Sequence, residues 1–180
     1  MALTYGTEGI KQKDYRVYIA NSDIDDELSS GVATAVATYD GAKNKTNIQA
    51  LIAKLDELGE CRTDSIAVTA ENGDTVEGNV LGEIVLNKAC SMAAELINST
   101  PSNIEALADL DSMPVTVVII EKDTHNVSDH ATKTAIVINN IVMSYSENIT
   151  GGDSIRAMVN LSRNVPSVGD FRSIADIDWS

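Results

Sequence analysis

The chain reads as a mainly β (α+β) protein: an antiparallel β-sandwich or barrel carrying one or two short flanking helices. Three observations lead there. The stretch Thr134–Val165 alternates apolar and polar residues in both halves, with Ile136, Ile138 and Val142 in the first and Ile155, Ala157, Val159 and Leu161 in the second. Alternation with a period of two marks a half-buried strand, and Gly151-Gly152-Asp153 between the halves supplies residues that tolerate positive φ, so the stretch predicts a long antiparallel hairpin. Val115–Glu121, VTVVIIE, is an unbroken β-branched run suited to a strand covered on both faces. Finally, the chain shows no βαβ alternation and no internal repeat, which argues against a doubly wound dinucleotide fold.

A length of 180 residues suits one domain with a real core, and we expect a single domain over 1–180. Aromatic residues make up only 4% of the chain, so Val, Ile, Leu, Ala and Met must fill that core. Scarce aromatics also disfavour a stacking-based ligand or single-stranded nucleic-acid site. The net charge is −14, which opposes tight binding of DNA or RNA while leaving passage of DNA past the surface possible. Neither a secretory leader pattern nor an apolar run long enough to span a bilayer is evident, so a soluble protein made in a cytoplasm is expected. Cys61 and Cys90 do not imply a disulfide scaffold.

Taken in order, residues 1–14 are polar and predict an N-terminal arm that orders against a partner. Tyr15–Ala20, YRVYIA, predicts a strand. Residues 21–45 are rich in Asp, Ser, Gly and Ala and predict a long loop with a weak strand at Val32–Tyr39. Thr46-Asn-Ile-Gln49 has capping-box form, and Ile48, Leu51, Ile52, Leu55 and Leu58 behind it predict a helix of about three turns closed by Gly59. Ser65–Ala70 predicts a strand with Ile66, Val68 and Ala70 on one side, and Asn72-Gly73 after it predicts the reversal of a hairpin. The return run from Asp74 to Ile97 satisfies both a strand and a helical period, and a strand is preferred because it follows a turn. Pro101 ends that element, and Ser102-Asn-Ile-Glu105 opens a second short helix with Ile104, Leu107 and Leu110, stopped by Pro114. Beyond Val165 the chain reads as a short tail.

Candidate chemistry is sparse. Asp123, His125, Asp129 and His130 gather both histidines with carboxylates, but their spacing matches no zinc pattern and a solvated connector is the preferred reading. Asp23, Asp25, Asp26 and Glu27 crowd oxygen ligands without the alternation and central Gly of a calcium loop. Asp176 and Asp178 carry less weight still. The chain contains no GxSxG, GxxxxGK[ST] or GxGxxG. Sequons occur at Asn44, Asn98, Asn126, Asn148 and Asn160, which we read as coincidence in an Asn/Ser/Thr-rich sequence. No catalytic, cofactor-binding or metal residues are assigned, and an enzyme is not expected.

The pattern IxNIxxSxSENITGGDxIRxxVxLSxNVPSxxDF, here Ile138–Phe171 within residues 134–174, resembles the tail-tube and related virion structural proteins of tailed bacteriophages. Upstream, Leu55–Gly78, LDELGECRTDSIAVTAENGDTVEG, is similar to the strand–turn–strand that such proteins place after a helix. The resemblance covers about two-thirds of the chain in style and element order. It implies a subunit of hexameric rings, stacked into a tube and joined to other tail proteins. Such a tube carries genome through its channel without specific DNA binding, and the protein resides in the virion tail. Arm 1–14 and the long loop would reach neighbouring rings, and an acidic wall would keep DNA from sticking. A capsid decoration or head–tail connector protein is the alternative, followed by a ligand-binding β-sandwich module. Unpaired sheet edges give self-assembly a physical route, and either the hairpin at 134–165 or the one at 65–90 is expected to supply the contact.

Overall fold

The computed structural model describes residues 15–22, 31–59, 61–62, 65–78, 82–97, 100–122, 132–148 and 156–180. The arm 1–14, the carboxylates Asp23–Glu27, the Asp123–His130 cluster and the Gly151-Gly152-Asp153 turn lie outside the described residues. The described part contains ten strands and three α-helices, and all strand pairing is antiparallel. This is the mainly β class expected, with more strands than the sequence suggested.

One sheet contains β1 (Tyr15–Asn21), β2 (Asp56–Glu57), β7 (Pro114–Glu121), the first half of β8 (Thr132–Asn148) and β10 (Arg172–Asp178). The second half of β8 pairs instead with β9 (Arg156–Val165), followed by β6 (Lys88–Leu96) and β3 (Ala67–Asn72). β8 therefore belongs to two sheets. The switch falls at Asn140, whose φ of 54° is left-handed, opposite a register shift between Val115 and Val117. A bulge of this kind bends a strand and resets which residues face inward. Ile138 is buried before the switch and Ile141 and Met143 after it, so Val142, expected inside, is exposed. Ala157, Val159 and Leu161 keep the inward face that their alternation implies, and Ile155 lies outside the described residues.

Two apolar clusters sit on either side of the first sheet. Val17, Ile19, Val117, Ile119 and Ile138 pack towards Met92, Leu96, Val159 and Leu161 of the other sheet. Val118, Ile120, Ala135, Val137 and Ile177 pack on the opposite side against α1 (Val32–Gly41) and α2 (Lys45–Ile52). β7 thus lies between a helix layer and a second sheet, and every residue from Val115 to Glu121 is buried. The unbroken apolar run demanded such a position.

Several local expectations change. Val32–Tyr39 is helix rather than strand, because Val32, Val36 and Tyr39 recur at helical spacing and form one buried stripe; the expected loop 21–45 is correspondingly shorter. Asn44, not Thr46, caps α2, accepting from the Asn47 backbone N–H at 2.9 Å. That helix ends at Ile52, and Leu58 is buried by edge pairing instead, its N–H donating to the Val17 carbonyl at 2.8 Å. Gly59 does adopt a φ of 99°, but after β2 rather than at a helix end. Thr100 caps α3 (Pro101–Ala108), and Pro101 opens this helix instead of closing the preceding element. The supposed tail is β10, with Phe171 and Ile177 buried.

Candidate assembly surface

The hairpin expected to reverse at Asn72-Gly73 runs past it. Asn72 faces Lys88, Thr75 faces Val85 and Gly78 faces Gly82, so β3 and β6 continue in one register through β4 (Thr75–Gly78) and β5 (Gly82–Val85). Gly73 is needed for close approach rather than for a turn: a Cβ there would meet the Asn87 amide oxygen at 2.0 Å. That amide accepts from the Asp74 N–H at 2.8 Å and donates to the Asp74 carboxylate at 2.7 Å, carrying the ribbon across the junction. At the far end Gly82 takes a φ of 70°, a left-handed conformation that β-branched residues rarely accept.

The resulting finger, residues 74–78 and 82–86, has two unlike faces. Residues directly opposite across an antiparallel pair share a face, and the face alternates along each strand. On one side the buried Met92 and Cys90 lead outward, past a Lys88–Asn72 hydrogen bond of 2.6 Å, to Leu86, Ile84 and Val76. The core-facing side of the ribbon therefore runs beyond the core, and Val76 and Leu86 are 50% and 57% exposed. On the other side Glu77 stands directly opposite Glu83. Like charges in that position destabilise a hairpin, and among the described residues neither carboxylate has an ion-pair partner. Both features would be relieved by a partner that covers the apolar face and brings positive charge to the acidic one.

The other residues considered from sequence do not converge. Asp176 accepts from the Thr134 hydroxyl at 2.9 Å, and Asp178 accepts from the Ser180 hydroxyl at 2.6 Å, which together with the Ser180 N–H lowers its pKa. Asn44 is occupied as a helix cap, Asn148 is exposed at the end of β8, and Asn160 is half-buried in β9; Asn98 and Asn126 lie outside the described residues. Cys90 is buried and free; Cys61 is half-buried and free, its thiol pushed up to about 11 by burial and by nearby Glu57. Among the described residues no group of three or more His, Cys, Asp or Glu side chains is arranged to hold a metal, and no helix is long and apolar enough to cross a membrane.

The finger was missed in the sequence because Asn-Gly is so strong a turn signal. The competing signal was Gly78 and Gly82 bracketing three residues, with Val76 before them and Ile84 after. No protein-family model matches the sequence, and no curated protein matches it either.

Proposed function

We propose that this chain is a self-assembling structural subunit without enzymatic activity, of the tail-tube type that residues 134–174 resemble. In that reading it forms hexameric rings that stack into a tube, with other tail proteins at its ends and DNA passing through unbound. The observation that carries the self-assembly reading is the amphipathic finger, which extends the core face of β3 and β6 into solvent and leaves Val76, Ile84 and Leu86 uncovered. Exposed apolar patches on a strongly charged chain mark interaction sites. The net charge of −14 supports the channel role, since a negative wall repels phosphates.

Electron microscopy of the purified full chain tests this, alongside a variant in which a short turn replaces residues 75–85. Hollow tubes from the full chain and none from the shortened one are expected. Discrete non-tubular oligomers would favour the decoration or connector reading. A strict monomer at high concentration would favour a ligand-binding module.

A further inference from the structure

The finger needs a receiving surface, and β10 offers one. Among the described residues β10 pairs only with β8, so its other edge is open. An open groove lies between α1 and the start of β10, lined by Val36 and Lys43 on the helix side, by Val137 of β8 and by Arg172, Ser173 and Ile174 of β10. Asp40 and Asp170 also line it, and the Asp170 carboxylate already accepts from the Ser167 N–H and hydroxyl, each at 3.0 Å. Ile174 is 51% exposed. The Ser173 hydroxyl is shielded from solvent yet has no hydrogen-bond partner among the described residues, an arrangement that costs stability unless something supplies the bond.

The two sides of this edge match the two sides of the finger. Ala175 and Ile177 belong to the helix-side cluster, so Ser173 shares their side while Ile174 faces the other. Lys43 follows α1 and stands on the helix side, where it has no ion-pair partner among the described residues. A strand added to β10 would place alternate side chains on these same two sides. We infer that β5 of a second copy adds to the β10 edge. Ile84 and Leu86 then lie on the Ile174 side, and Glu83, with Glu77 across from it, faces Lys43. Arg172, by the same alternation, lies on the Ile174 side, so Lys43 is the cation that meets the two carboxylates. The finger and the groove are different surfaces, so the contact is head-to-tail, and repetition yields a closed ring or an open filament according to the rotation it imposes.

This inference rests on the self-assembly reading, and sedimentation velocity separates the two. Wild type, Glu77→Lys/Glu83→Lys, Lys43→Glu, Ile174→Asp and the combined Lys43→Glu/Glu77→Lys/Glu83→Lys chain are compared, with circular dichroism checking that each is folded. All these positions are exposed, so folding should survive. The wild type should assemble. The finger reversal, the Lys43 reversal and Ile174→Asp should each weaken association by about tenfold or more, and the combined chain should recover to within about threefold of wild type. A wild type that assembles while Lys43→Glu and Ile174→Asp assemble equally well overturns the β10 contact alone. A wild type that stays monomeric overturns both.

Discussion

Thr116 donates a hydrogen bond to the side-chain oxygen of Asn139 at 2.8 Å, across the point where the β7–β8 ladder slips register. Its own oxygen in turn receives the Ser22 hydroxyl at 2.8 Å. Among the described residues Thr116 is one of few buried polar side chains, and this chain of bonds satisfies it where β8 passes between sheets. The next residue, Asn140, completes the bend with its left-handed backbone.

Asn140 therefore separates two kinds of substitution. Asn140→Val should cost about 1–2 kcal/mol, because a β-branched residue resists positive φ, whereas Asn140→Gly should stay near wild type. Urea unfolding followed by circular dichroism measures both. Equal losses would show that the backbone conformation is not what the position requires.

A second expectation concerns the C-terminus. Lys133, buried at the start of β8, places its ammonium 4.4 Å from the Trp179 ring centroid, while Lys45 donates to the Trp179 carbonyl at 2.7 Å. Replacing Trp179 with Ala should lower stability by about 1–2 kcal/mol, and replacing it with Phe should cost less, since a π face is retained. Because Trp179 is the chain's single tryptophan, wild-type fluorescence reports whether this end stays docked during unfolding.

Tyr145 should titrate late. Burial, a hydrogen bond of 2.8 Å donated to Glu147 and the Glu147 charge push its pKa up to about 12. The phenol holds its proton more tightly folded than unfolded, so its contribution to stability is complete below pH 10 and is lost as pH rises towards 12. Ultraviolet difference titration of wild type against Tyr145→Phe isolates the transition. Glu147→Gln should move it down, and an unmoved transition would remove Glu147 from the explanation.

Much of this architecture was legible in the sequence wherever one physical demand dominated. Val115–Glu121 could only be a doubly covered strand, and Ala157, Val159 and Leu161 could only face a core. Legibility failed where two demands competed. Val32, Val36 and Tyr39 satisfy a helical stripe, but their neighbours Ala33, Thr34 and Ala35 do not declare it. Asn72-Gly73 has the chemistry of a turn, yet Asn87 bridges Asp74 and the two strands keep their register past it. The docking groove brings together the α1–α2 turn and β10, which are separated by over a hundred residues, and no local pattern announces such a meeting.

The double burial of β7 also bears on how the chain folds. Its partner β1 meets it across about a hundred residues of sequence, with Tyr15 facing Glu121 and Asn21 facing Val115. Long-range pairing of this kind slows folding. Until both faces are covered, VTVVIIE presents a short, β-prone and nearly uncharged segment to other chains, the kind that seeds aggregation. Refolding yield should therefore fall as concentration rises, and the acidic charge on the rest of the chain helps keep unfinished molecules apart.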